Sequence, residues 1–359
     1  MFQKIFKRKI NWSLIKLLIQ FLLIISLYGC TSNENETKSL YPIIDSGMPA
    51  TGDSLRSDIA WLDDEHILFV AGKPVTSDED PALTIWEIGK GFERYKSNVS
   101  GICFSQGRIW YAAYTSRLHT KKNVTIFQGP FRQEIPVDQS GAHYFDRLNC
   151  RYLDERPVDK EGHDLMSLLD EHGYLDLAPT ENNINSTSSV LFYKKGMTDP
   201  IKMPFTINDI NSSRIQYYPF KQAYLIFGRH KNQNALIKQK SLEGAKPQLL
   251  WWLYPNGKVE QVSIPPGPWL LGGSTFLRAT KEGFFIAYLG GYKSITRSSG
   301  QGAYFIQDDE IIKVIDGPVI APTVSPDGCR VAYSHVPSWE QVISKKSQWT
   351  LNIINFCNK

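Results

Sequence analysis

The sequence predicts an all-β fold: a six-bladed β-propeller with a small helical insertion in the third blade, its ring closed by an N-terminal strand. Three observations carry that prediction. Near the C-terminus, Pro322 to Ser325 reads as a strand, Pro326-Asp327-Gly328 as a tight turn, and Arg330 to Ser334 as a second strand. Proline presets φ for the first central turn position, aspartate tolerates the second, and glycine supplies the positive φ that follows. Looser copies of this strand, polar turn and apolar strand recur upstream at spacings of about 40–60 residues, the signature of a propeller built from four-stranded repeats. Finally, the last repeat ends after its third strand at Phe356-Cys357, whereas Ser39 to Ile44 precedes the first complete repeat and has none of its own. Such a strand would cover the open edge of the last blade, where Pro42 is tolerated because an outermost strand needs no donor there.

The repeats follow in order. Ala60 to His66 leads into Ile67–Ala71, Ile102 to Gly107 into Arg108–Ala113, Ile215 to Lys221 into Ala223–Phe227, and Thr275 to Gly283 into Phe284–Tyr288. Third strands are Thr84–Ile88, Asn123–Phe127, Gln248–Tyr254 and Gln348–Phe356; Val259–Ile264 and Ile311–Ile315 are fourth strands. The least regular blade spans 141–206, with strands at His143–Asp146, Tyr174–Leu177, Val190–Lys194 and Ile201–Pro204. Its insertion, Glu161 to His172, carries Leu165, Met166, Leu168 and Leu169 at helical spacing before Gly173, and reads as a surface helix. Innermost strands therefore fall near residues 58, 102, 143, 215, 275 and 322. One blade cannot bury both of its faces, so blades stack until each face is covered. A β-sandwich with insertions is the structural rival.

The N-terminus carries Lys4, Lys7, Arg8, Lys9 and Lys16, then an apolar run from Leu17 to Leu27 and Tyr28-Gly29-Cys30. A basic region, a short apolar region and a small residue before the cut make an export signal, too short for a comfortable membrane span. Leu27-Tyr28-Gly29-Cys30 resembles the lipobox of bacterial lipoproteins. The resemblance implies cleavage before Cys30 and a diacylglycerol thioether on its sulfur. Thr31, in place of the aspartate that retains many such proteins at the inner membrane, implies the outer membrane. The domains expected are a signal over 1–29, a flexible tether over 30–38 and a propeller over 39–359. The Ser325-Pro326-Asp327-Gly328 turn and the strand after it are similar to the repeat of TolB-like and related WD40-like six-bladed propellers. That resemblance covers the chain in period and a few residues in motif.

The formal charge of +4 belongs to the signal. Of 40 basic residues, five lie in residues 1–29 with no acidic ones, leaving 35 against 36 acidic residues. A nearly neutral mature chain gives no electrostatic footprint for nucleic acid. Four cysteines follow Cys30, namely Cys103, Cys150, Cys329 and Cys357, and an even number in an exported chain suits disulfides. If Arg330–Ser334 pairs with Leu351–Phe356, Cys329 and Cys357 lie within bonding reach; Cys103 and Cys150 are the weaker candidate pair.

Catalytic patterns are sparse. There is no G-x-S-x-G elbow, although propellers also cap prolyl-oligopeptidase-type enzymes, and Gly272-Gly273-Ser274 begins a strand. The seven histidines form no H-x-H or H-E-x-x-H pair, and the acidic turns Asp78–Asp80 and Asp308–Glu310 match no EF-hand, so no metal or cofactor is expected. Most tryptophans alternate within strands and read as packing. Trp269 and Trp339 lie in proline-rich loops, and Trp252 adjoins Trp251 on a strand, so these three are the candidates for partner contact. The expected function is a lipid-anchored, non-enzymatic protein-binding module of the cell envelope, for instance an immunity lipoprotein that sequesters a secreted effector such as a phospholipase. A TolB-like envelope scaffold is one alternative. A channel-based glycan- or lactone-acting enzyme is the other, and it would need carboxylates or metal ligands on the innermost strands.

Overall fold

Antiparallel meanders dominate the computed structural model, which describes residues 40–49, 59–71, 82–105, 108–114, 124–137, 145–146, 151–152, 167–169, 172–178, 188–290, 300–338, 340 and 349–357. The expected signal, tether, Cys30, Cys150 and Trp339 lie outside these residues. The N-terminal strand is β1 (Ile43–Pro49). A first sheet holds β2 (Ile59–Trp61), β3 (His66–Ala71), β4 (Ala82–Glu87) and β5 (Gly91–Ser97); a second holds β6 (Val99–Ser105), β7 (Arg108–Tyr114), β8 (Val124–Pro130) and β9 (Ile135–Val137). A separate pair, β10 (Phe145–Asp146) and β11 (Arg151–Tyr152), precedes the third sheet of β12 (Ser167–Leu168), β13 (Gly173–Leu177), β14 (Ser189–Lys194) and β15 (Ile201–Thr206). The fourth holds β16 (Ile210–Tyr218), β17 (Ala223–Gly228), β18 (Gln248–Leu253) and β19 (Val259–Ile264). The fifth holds β20 (Thr275–Ala279), β21 (Phe284–Tyr288), β22 (Gly302–Gln307) and β23 (Glu310–Asp316). In the last sheet β24 (Val319–Val324), β25 (Arg330–His335) and β26 (Thr350–Asn355) are completed at the outer edge by β1.

This is a β-propeller. First strands meet between neighbouring sheets: β20 with β24, β24 with β2, and β2 with β6. Side chains join five pairs of neighbouring sheets. Tyr95 Oη donates to Glu134 Oε2 at 2.7 Å between the first and second sheets, and Trp61 Nε1 donates to the Thr323 carbonyl at 3.1 Å between the first and last. Phe305 stacks on Phe356 at 4.1 Å between fifth and last; the Ala279 N–H donates to Tyr218 Oη at 3.1 Å between fourth and fifth. Phe205 packs on Trp251 at 5.0 Å between third and fourth. The buried faces are aromatic and β-branched because pleated surfaces pack best with flat or branched side chains.

The turn at Pro326-Asp327-Gly328 forms as its residues dictate. Gly328 has φ +78°, and a Cβ there would lie 2.7 Å from the Phe220 ring. Asp327 Oδ1 accepts the Cys329 N–H at 2.9 Å, and Ser325 Oγ accepts that of Arg330 at 2.9 Å. Asp308 and Asp309, with φ 49° and 64°, make the left-handed hairpin turn between β22 and β23. Two left-handed central residues suit the twist of a hairpin, and aspartate tolerates the conformation.

Two expectations are corrected. The closing strand runs Ile43–Pro49 rather than Ser39–Ile44, with Ile43 opposite Ile354. Tyr41 is instead a buried plug against Phe305 and Phe356, at 5.2 and 4.9 Å. In the third sheet the first strand is Ser167–Leu168, not His143–Asp146, so the described part of the presumed helix Glu161–His172 is strand and turn. A short apolar run such as Leu165, Met166, Leu168 and Leu169 cannot by periodicity alone be told from a buried strand, and Gly173 reads equally as a helix stop. Its actual role is close approach: with φ +134°, a Cβ would lie 2.1 Å from the Tyr193 carbonyl oxygen across the β13–β14 pair. A short helix that the sequence reading omits, α1 (Gln233–Gln239), fills the connection from β17 to β18 and buries Leu236. No helix among the described residues is long and apolar enough to cross a membrane.

Candidate functional site

Tertiary structure moves two of the three tryptophan candidates, Trp269 and Trp252, into the core. Trp269 sits in a short 3-10 helix, Pro268–Leu271, is 3% exposed, and packs edge-on against Tyr304 at 5.5 Å. Trp252 is 4% exposed and lies edge-on to Tyr218 at 5.5 Å. Neither offers a surface anchor. A loop rich in proline can fold back over a sheet edge, and the chain between β19 and β20 does so. Cys329 and Cys357 form a disulfide with Cα atoms 5.2 Å apart. It follows from the pairing of Arg330 with Asn355, which sets the start of β25 beside the end of β26. Cys103 lies on β6; its side chain, like Cys150, is outside what the structure describes.

A cleft opens at the end of the third and fourth sheets that carries their first-to-second and third-to-fourth turns. Its two lobes, about 390 and 370 Å³, share His172, Pro255 and Asn256. Lys194 and Lys195 border one lobe, and Tyr217, Lys221, Gln222 and Tyr254 the other. In a four-strand meander these turns all fall at one end, so two adjacent sheets bring four of them together. The Lys195 N–H donates to the His172 carbonyl at 3.0 Å, which fastens the β14–β15 turn to the β12–β13 turn.

Beneath the cleft is an aromatic floor. Tyr224 Oη donates to the Leu169 carbonyl at 2.7 Å and lies 2.9 Å from His172 Nδ1. A phenol has one proton, so with it committed to Leu169 the imidazole Nδ1–H is the donor to Tyr224. The His172 ring stacks on Tyr217 at 5.7 Å, and Tyr217 meets Tyr224 at 4.9 Å. On the other wall, Lys221 Nζ lies 5.5 Å above the Trp252 ring and 3.9 Å from Glu260. Tyr254 donates to Glu260 at 2.8 Å, and burial, then that carboxylate, hold the Tyr254 phenol above its usual range. Lys194 and Lys195 make no ion pair among the described residues. The cleft therefore offers two ammonium groups without an ion pair among the described residues, bordering the lobe shared with His172, a setting for carboxylates or other anions on a partner. Sequence reading missed it because its residues come from four turns, and only the Lys194-Lys195 doublet stands out locally. No group of three or more potential metal ligands occurs among the described residues.

No family model matches the chain. No curated protein is similar to it at a significant level. Solved structures similar to it are propellers. The β-propeller domain of the trilobed protease from Pyrococcus furiosus is 12% identical, with a TM-score of 0.44 over 85% of this chain and 96% of that one. A gluconolactonase from Xanthomonas campestris is 12% identical, with a TM-score of 0.34 over 88% of this chain and 97% of that one. The acylaminoacyl peptidase of Pyrococcus horikoshii is 9% identical, with a TM-score of 0.39 over 79% of this chain and 52% of that one. These matches correct the expectation that the chain is not an enzyme: the similar structures include catalytic proteins, so absence of activity does not follow from this fold. At such identities the likeness is one of fold, and it assigns neither activity here.

Proposed function

We propose that this chain is a lipid-anchored propeller of the bacterial cell envelope that binds a protein partner at the cleft end. In this reading residues 1–29 are removed, Cys30 carries the lipid, 30–38 is the tether, and the six four-stranded sheets are blades of one ring. The observation that supports binding is the cleft itself, with Lys194 and Lys195 beside His172 in one lobe and Tyr217 and Tyr254 in the other. The specific form we favour is an immunity lipoprotein that holds a secreted effector, such as a phospholipase, before it acts.

The test is a Lys194→Glu, Lys195→Glu double variant of the full chain, in cells exposed to the product of an adjacent lipase-like gene. Lys194 ends β14, half-buried, and Lys195 is exposed in the turn that follows, so with both side chains at the cleft border unfolding should shift by no more than about 0.5 kcal/mol. Loss of protection, together with loss of effector co-purification, is the expected result. Undiminished protection by a stably folded double variant sinks the cleft as the binding site. A neighbourhood of Tol-like genes with no effector would redirect the reading to an envelope scaffold.

A further inference from the structure

We infer that the outer rim of the last, first and second sheets, at the end where the chain enters β1, is a membrane-contact surface. The inference rests on lipid attachment at Cys30 and adds which part of the propeller meets the lipid. Each of these three sheets opens its outermost strand with an exposed apolar side chain. Leu40 is 62% exposed and Ile43 42% at the entry to β1, Phe92 is 41% exposed on β5, and Ile135 is 67% exposed on β9.

All of these positions lie at one end. Ile43 pairs with Ile354 near the end of β26, Gly91 with Glu87, and Ile135 with Gln128, so β1, β5 and β9 all start where β26, β4 and β8 finish. The three sheets are aligned at that end by direct links. The Asp327 N–H donates to Asp64 between the last and first sheets, and Arg132 Nη2 pairs with Glu93 at 2.6 Å between the second and first. Among the described residues the remaining exposed large apolar side chains are Ile44 on β1, Met197 at the same end of the third sheet, and Leu177, Ile237 and Leu249 towards the opposite end.

Two further facts specify a bilayer as the occupant. Nine residues lie between Cys30 and Leu40, so ten steps of at most about 3.5 Å each keep Leu40 within about 35 Å of a lipid on Cys30. Tyr41, fully buried, and the Asn355 N–H bonded to the Pro42 carbonyl at 3.1 Å pin that entry point to the last sheet. The charges near the rim are mostly paired already, Lys90 with Glu87 and Arg132 with Glu93, which lowers the cost of bringing them to the headgroups. The Arg132 guanidinium also lies 5.2 Å over the Phe131 ring, the pairing of cation and aromatic group suited to a membrane interface. The acidic turn Asp63–Glu65 lies between β2 and β3, inboard of the outer strands, so the contact is with the rim and not the whole end.

The experiment uses the lipidated full chain in vesicles of phosphatidylethanolamine and phosphatidylglycerol that contain a carbene-generating phospholipid. A palmitate analogue first reports lipidation, and a Cys30→Ser variant should lose that label. Carbene adducts are then mapped by mass spectrometry. Adducts on peptides holding Leu40–Ile44, Phe92 and Ile135, and none on those holding Leu177 or Leu249, are expected. Leu40→Glu with Ile135→Glu should remove the adducts at Phe92 while the palmitate label persists; both residues are exposed enough to leave folding intact. Adducts confined to the opposite end, or none on a labelled protein, overturn the inference and leave the anchor standing. Absence of the palmitate label removes the anchor, and the inference with it.

Discussion

The backbone N–H of Asp327 donates to the Asp64 carboxylate at 2.9 Å, joining residues 263 apart in the chain. Asp64 belongs to the β2–β3 turn and Asp327 to the β24–β25 turn, so the bond ties the first complete sheet to the last. The Arg330 guanidinium, 5.5 Å over the Trp61 ring, reinforces the same junction.

Asp64→Ala should therefore loosen the junction. A hydrogen bond to a charged acceptor contributes about 1.5–3 kcal/mol, with the lower end expected at this partly exposed turn. Urea unfolding measures it. A midpoint equal to that of the unaltered chain would mean that water replaces the carboxylate without loss.

The Cys329–Cys357 bond closes a loop between residues 28 apart. Chain entropy gives such a cross-link about 3–4 kcal/mol, and reduction should lower the unfolding midpoint accordingly. Peptide mapping of exported protein without reductant should recover Cys329 joined to Cys357. Two free thiols there would contradict the pairing of β25 with β26.

Trp269→Ala and Trp252→Ala should each behave as core truncations, costing about 3–5 kcal/mol. Trp269 is held by Tyr304 and Trp252 by Tyr218. Thermal unfolding distinguishes this from a surface role, in which melting would hardly change.

Asp209 supplies a pH dependence. Lys231 Nζ at 2.9 Å, then the Thr206 N–H and hydroxyl at 2.9 and 2.7 Å, hold its carboxyl down to about 2. A carboxylate depressed on folding stabilises the native state fully above its unfolded pKa, and that share disappears as pH falls through the folded value. The stability gap between the unaltered chain and Asp209→Asn should thus be constant above about pH 5 and shrink from pH 4 towards 2. A gap that does not change over that interval would show that the carboxylate is not held in this way.

The sequence by itself determined the repeating hairpin, because each repeat is local. A Pro-Asp-Gly turn between two apolar runs specifies the β24–β25 hairpin with no help from the rest of the chain, although β24 runs Val319–Val324 rather than Pro322–Ser325, and Val259–Ile264 matches its strand at both ends. It also determined that a segment upstream of the first repeat would be left to finish the last sheet, since a three-stranded remainder and a spare strand can be counted without coordinates. Tertiary structure decided whatever depends on which faces meet. Trp269 and Ile135 both follow turn-like sequence, yet one is buried beside Tyr304 and the other exposed on an edge strand; neighbouring sheets set that difference. Leu168-Leu169 was ambiguous for the same reason: an apolar pair has no period until a partner strand imposes one. The cleft was not legible at all. His172, Lys194, Lys221 and Asn256 lie on four turns of two sheets, and only the stacking of sheet upon sheet, driven by burial of their apolar faces, sets them around one opening.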